Sequence, residues 1–68
     1  MTKAGQRWIT EFGKLDENGD RYYYDARHFD SSEEADAHFK SMIVPTGERA
    51  YLEYADEYTA DILAVKYS

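Results

Sequence analysis

The sequence predicts an α+β fold, a small antiparallel β-sheet in the order β-β-α-β-β with one short amphipathic helix packed on one face. Three observations support this prediction. An Asn-Gly pair separates two runs of β-favouring residues, and apolar residues at helical spacing follow a helix-capping signal. The last third of the chain is rich in tyrosine and aliphatic residues, which favour strands. At 68 residues the chain has room for one domain, spanning 1–68.

The first two strands are predicted at 7–15 and 21–29, joined by a turn at 16–20. The Asn-Gly pair within this turn is the strongest short-range hairpin signal, because both residues tolerate a positive φ. Side chains alternate along a strand, so the first strand has two different faces. One face carries Trp8, Thr10 and Phe12, and the other carries Ile9, Glu11 and Leu15. Residues 1–6 are expected to be frayed.

A short helix is predicted at 32–43. Ser31 precedes Glu34 by three residues, which is the spacing of a capping box. Pro45 and Gly47 end the pattern. The apolar stripe of this helix would consist of Ala35, Phe39, Met42 and Ile43.

The C-terminal third admits two interpretations. Segments 49–55 and 59–67 can form two strands joined by a turn at Asp56 and Glu57, and the aliphatic ending favours this hairpin. The alternative is one helix, since neither glycine nor proline occurs after Gly47. The stripe of that helix would be Tyr51, Ala55, Tyr58, Ile62 and Val65.

The charge of the chain argues against direct binding of nucleic acid or of an anionic membrane. The net charge is −6, and the eight basic residues are scattered singly rather than gathered to neutralise phosphates. No apolar run is long enough to cross a bilayer, and residues 1–5 do not resemble a secretory signal. With no cysteine, the chain fits a reducing compartment, and we expect a cytoplasmic location.

Catalytic, cofactor and metal sites are not predicted. A calcium loop beginning at Asp16 would need glycine and glutamate at its sixth and twelfth positions, where Arg21 and Arg27 stand. His28 and His38 are ten residues apart with no metal-binding spacing around them. The serines at 31 and 32 are better explained as helix caps than as nucleophiles.

Tyrosines and acidic residues are the candidates for contact with a partner protein. The chain has seven tyrosines, and Tyr22 and Tyr24 would share one strand face while Tyr23 points to the other. Acidic residues surround both predicted turns, and they would suit a partner with a basic surface. The plainer alternative is that the tyrosines fill the core and the acids keep the turns soluble. The predicted partner-binding residues are Tyr22, Tyr24, Tyr51, Glu53, Asp56, Glu57, Tyr58, Asp16 and Glu17.

In size, acidity, lack of cysteine and tyrosine-rich strands, the whole chain resembles small proteins encoded by bacteriophages and other mobile elements, including many anti-CRISPR proteins. This resemblance implies a non-catalytic inhibitor that docks on a host protein or ribonucleoprotein complex with a basic surface. A second hypothesis is a structural or assembly protein that forms a homodimer through an open sheet face or an edge strand. A small enzyme is the third.

Overall fold

A computed structural model describes residues 6–68 and confirms the predicted α+β fold. Its elements are β1 (Trp8–Leu15), β2 (Arg21–Phe29), α1 (Ser32–Ser41), β3 (Arg49–Ala55) and β4 (Ala60–Tyr67). β1 and β4 each begin one residue later than predicted. Residues 1–5, on which most of the expected frayed end falls, lie outside the described residues. No helix in the described part of the chain has the length and apolarity needed to cross a membrane.

The four strands form one antiparallel sheet in the order β2-β1-β3-β4. The chain leaves the β2 edge, passes through α1 across one face of the sheet, and returns to pair β3 with β1. The core therefore lies in a single layer between α1 and the sheet. Its buried residues are Ala35, Phe39, Met42, Ala50 and Leu52, with Trp8, Phe12, Phe29, Val44 and Ala64 packed around them.

The C-terminal third is the predicted hairpin and not a helix. The side chain of Asp56 closes its turn without glycine or proline. Its Oδ1 accepts hydrogen bonds from the backbone N–H groups of Tyr58 and Thr59 at 2.8 and 2.9 Å, and its own N–H donates to the carbonyl oxygen of Thr59 at 2.9 Å. An aspartate at this position favours a turn over a continuing helix, because it offers the backbone competing local hydrogen bonds.

The first turn differs from the two-residue turn that the Asn-Gly pair favours. Of the two central residues only Gly19 has a positive φ, of 84°. The N–H of Gly19 donates to the carbonyl oxygen of Asp16 at 3.0 Å, and Asp16 Oδ1 accepts from the N–H groups of Asn18 and Asp20 at 2.8 and 2.9 Å. The loop therefore uses a single left-handed glycine, which is typical of longer hairpin loops.

The helix begins as predicted but ends two residues early. Ser31 Oγ accepts from the N–H of Glu34 at 3.2 Å, which confirms the cap. At the other end Met42 is already extended, with φ −67° and ψ 130°. Pro45 disfavours helical geometry in Val44, the residue before it, and so keeps the chain from resuming the helix after Met42. The prediction that Ile43 belongs to the apolar stripe is wrong, because its side chain is 87% exposed.

Lys66 of β4 caps the end of α1 from the neighbouring layer. Its Nζ donates to the carbonyl oxygens of Phe39, Lys40 and Met42 at 3.2, 2.9 and 2.8 Å. Helix C-termini leave carbonyl groups without intrahelical partners and carry a partial negative charge. One ammonium group therefore satisfies several of these acceptors and ties the helix to the sheet.

Candidate binding face

The side of the sheet opposite α1, here called the open face, is not covered by any element within residues 6–68. Strand register places alternate residues of each strand on it. Its side chains include Ile9 and Glu11 of β1, Tyr23 and His28 of β2, Arg49, Tyr51 and Glu53 of β3, and Ile62, Val65 and Tyr67 of β4. Gly13 of β1 also lies on this side.

Tyr51 forms the base of the open face. Although no helix covers it, only 6% of its surface is exposed. Its ring lies across Gly13, where a Cβ atom would be 2.7 Å from Tyr51 Cε2. Tyr23 packs edge-on against the same ring at 5.7 Å between centroids, and Arg21 Nη1 donates to Tyr51 Oη at 3.3 Å. The absence of a side chain at Gly13 on β1 therefore leaves room for the ring of Tyr51 on β3.

Glu11 and Glu53 form a half-buried carboxyl pair beside Tyr51. Glu11 pairs with Tyr51 in the β1–β3 register and Glu53 pairs with Ile9, so the two acids are diagonal neighbours. Burial, followed by a hydrogen bond to Glu11 and repulsion from its charge, raises the pKa of Glu53 to about 8. A carboxyl group with this pKa is protonated at neutral pH, so Glu53 can donate the hydrogen bond to Glu11.

The opposite end of the open face is cationic and aromatic. The guanidinium carbon of Arg49 lies 5.2 Å from the centroid of the Tyr67 ring, a cation–π arrangement. Tyr67 and Tyr23 at this end expose 65% and 51% of their surfaces, and Ile62, beside Glu53 at the acidic end, exposes 61%. The open face thus combines accessible aromatic and aliphatic side chains with charges of both signs.

Two of the predicted partner-binding tyrosines lie on the helix side of the sheet. Tyr24 stacks on Phe12 at 5.3 Å and donates a hydrogen bond to Glu48, which raises the pKa of Tyr24 to about 12. Tyr22 stacks on Tyr24 at 5.9 Å, and Lys14 Nζ lies 5.5 Å from the centroid of its ring. Tyr24 is half-buried and Tyr22 exposed, so of the two only Tyr22 presents a broad surface.

Apart from Glu53 on the open face, the predicted acidic residues lie in two turns at opposite ends of the sheet. The turn with Asp16 and Glu17 connects β1 to β2 at one end of the sheet. The turn with Asp56, Glu57 and Tyr58 connects β3 to β4 at the other end of the sheet. β1 begins at this end, where the N–H of Ala55 donates to the carbonyl oxygen of Arg7 at 2.9 Å. The predicted residues therefore do not form one continuous surface.

The two turns place their side chains differently. Asp16, Glu17 and Tyr22 line a shallow depression together with Lys14 and Leu15. At the other turn Tyr58 is 92% exposed and Glu57 is also exposed. The carboxylate of Asp56 is occupied within the turn, and hydrogen bonds from the N–H of Tyr58, the hydroxyl of Tyr54 and the N–H of Thr59 lower its pKa.

The two histidines are separated by the sheet. His28 is exposed on the open face, and His38 lies on α1 with its ring 5.4 Å from that of Phe29. Among residues 6–68 no group of three or more His, Cys, Asp or Glu side chains is placed to hold a metal ion.

Comparison of the chain with protein-family models, with curated proteins and with solved structures found no match in any of the three. The sequence had pointed to Tyr51 and Glu53, which the open face contains. It did not point to Glu11, Arg49 or Tyr67, because their proximity depends on strand register. The open face is therefore the candidate binding surface of this protein.

Proposed function

We propose that this protein is a non-catalytic binding module, a stoichiometric inhibitor or modulator of a host nucleic-acid-handling complex. Its open face would make the contact. The observation that supports this proposal is that exposed Tyr23 and Tyr67 lie on the same uncovered face as a half-buried carboxyl pair, with the tyrosines at one end of the face and the acids at the other. Tyrosine is enriched at protein interfaces because it is large, rigid and amphipathic.

Charge favours a partner with a basic surface. The chain carries a net charge of −6, and an arginine or lysine of the partner would displace the proton held by Glu11 and Glu53 and pair with the carboxylates. Asp16, Glu17 and Glu57 lie outside the open face, where they would steer a basic partner during encounter. Proteins that bind nucleic acid carry basic surfaces, because their lysines and arginines neutralise the phosphates. The resemblance to bacteriophage proteins implies that this encounter would take place in the cytoplasm of a bacterial host.

Affinity capture with two matched variants tests the proposal. Tagged wild-type protein, a Tyr23→Ser/Tyr67→Ser variant and a Tyr22→Ser/Tyr58→Ser control are incubated with bacterial lysate at low and high salt. The control residues are 51% and 92% exposed, at least as exposed as the open-face pair at 51% and 65%. We expect wild type and control to recover the same nucleic-acid-handling complex, and the open-face variant to lose it.

The captured complex then shows whether the action is stoichiometric. Titration of the purified complex should abolish its binding of nucleic acid at about one equivalent, and the effect should weaken with salt. Loss of activity at far less than one equivalent would indicate an enzyme instead. Recovery of the same proteins by all three baits would contradict the open face as the contact surface.

A further inference from the structure

The open-face residues of β3 carry a self-complementary pattern of charge. Three side chains of this inner strand share the open face, namely Arg49, Tyr51 and Glu53. The cation and the acid are each two residues from the central tyrosine. Arg49 is held over Tyr67, and Glu53 lies beside Glu11, so both charges have fixed places. Reversing the strand about Tyr51 exchanges the two charges.

We propose that in the free protein a second copy of the chain covers the open face. The two copies would be related by a two-fold axis that lies in the plane of the interface, passes over Tyr51 and runs perpendicular to β3. This axis reverses the direction of β3 in the second copy. Arg49 of each copy then lies opposite Glu53 of the other, where the guanidinium would displace the proton of Glu53 and give two identical ion pairs, as an isologous interface requires. The inference goes beyond the proposed function because it concerns the protein without its partner.

The size and the exposed surface of the open face suit this occupant. The molecule measures 35 × 24 × 16 Å, so its broad side is comparable in size to the patch of about 800 Å² that each partner of a standard stable interface buries. Tyr23, Ile62 and Tyr67 would leave water on association. Two sheets packed face to face in this way form a β-sandwich in which the sheets lie about 10 Å apart.

One contact opposes association. Glu11 is paired with Tyr51 in the β1–β3 register, so the axis brings Glu11 of the two copies towards each other. Arg49 of each copy faces the carboxyl pair of the other copy, and its positive charge offsets this repulsion. The open face therefore tolerates a second copy despite its acidic pair.

The edges of the sheet are poorer sites for a second copy. The β1–β2 register is interrupted between Thr10 and Phe12, where Asp25 has a positive φ of 56°. The β3–β4 register is interrupted between Leu52 and Glu53. Such irregularities bend an edge strand and discourage regular pairing with another chain.

Sedimentation equilibrium of charge-reversed variants tests the proposal in the absence of any partner. Arg49→Glu and Glu53→Arg should each weaken dimerisation by about tenfold or more, because each places like charges together. The double variant Arg49→Glu/Glu53→Arg restores both ion pairs and should dimerise like wild type. An equimolar mixture of the two single variants should form heterodimers for the same reason.

Tyr67→Ser provides a further test that leaves both charged residues of the pair in place, and it should also weaken the dimer. Circular dichroism of each variant establishes that it is folded. A monomeric wild-type protein, or single variants that stay monomeric when mixed, would overturn the inference. Since no partner enters these measurements, their outcome is independent of the capture experiment that tests the proposed function.

Discussion

The ring of Tyr51 occupies the space that a side chain at Gly13 would take. The two residues lie on neighbouring inner strands, and a Cβ atom at position 13 would be 2.7 Å from Tyr51 Cε2. Tyr23 of β2 packs against this ring, with 5.7 Å between the two ring centroids. The base of the open face is therefore a packed unit of three strands, although no helix covers it.

Gly13→Ala should destabilise the protein. The added methyl group collides with a ring that Tyr23 and Arg21 hold in place, and overpacking of this kind costs about 1–3 kcal/mol. Urea denaturation measures the free energy of unfolding. In a Tyr51→Ala background the same change should cost less, because the obstructing ring is gone. An equal loss in both backgrounds would show that the two residues do not interact.

Thr10→Val should stabilise the protein by about 1 kcal/mol. Thr10 is fully buried, and its hydroxyl oxygen has no hydrogen-bond partner among residues 6–68. A buried polar group without a partner costs about 1–3 kcal/mol, and valine has the same shape without the hydroxyl. Thr10→Ser keeps the hydroxyl and loses the methyl group, so it should lower stability. A valine variant less stable than wild type would mean that the hydroxyl is satisfied.

Lys66→Met should loosen the end of α1. The substitution keeps most of the apolar stem but removes the ammonium group that donates to three carbonyl oxygens. A hydrogen bond from a charged group contributes about 1.5–3 kcal/mol, so the loss of all three should lower the free energy of unfolding by at least that amount. Lys40→Met is the control, because the exposed Lys40 only pairs with Asp36 at 2.9 Å. Equal melting temperatures for the two variants would contradict the capping role.

The Glu11–Glu53 pair should make stability depend on pH in an unusual direction. The pKa of Glu53 is about 8 in the folded protein against 4.5 ordinarily, so the folded state binds more protons between these values. The resulting stabilisation is complete below pH 4.5 and is lost as the pH rises through about 8. Thermal unfolding between pH 6 and 9 should show wild type losing stability relative to Glu53→Gln. Parallel curves would show that the pKa of Glu53 is not raised.

Local patterns in the sequence were enough to predict the fold. Asn18-Gly19, the Ser31 cap and the tyrosine-rich ending each act within a few residues, and the structure has two hairpins and a helix at these places. The errors are also local. The end of α1 was set too late because the apolar Met42 and Ile43 continue the helical spacing of the sequence, whereas the backbone of Met42 is already extended and Ile43 is exposed.

The open face could be predicted only in part, because it depends on contacts between distant segments. Which side of the sheet α1 covers decides that Tyr23 lies on the open face while Tyr24 packs beside Phe12. The register between β1 and β3 brings Glu11 beside Glu53, and no spacing within either strand reveals this pair. Asp16 and Asp56 looked like surface charges, yet their carboxylates hold the two turns.

The most direct test of the open face as the binding surface is NMR of tyrosine rings labelled with ¹³C, recorded on free and bound protein. The bound sample is the captured complex or, where the protein binds only itself, the concentrated dimer. We predict that the signals of Tyr23 and Tyr67 shift or broaden on binding, while those of Tyr22 and Tyr58 stay unchanged. Changes at Tyr22 and Tyr58 with Tyr23 and Tyr67 unaffected would contradict the account.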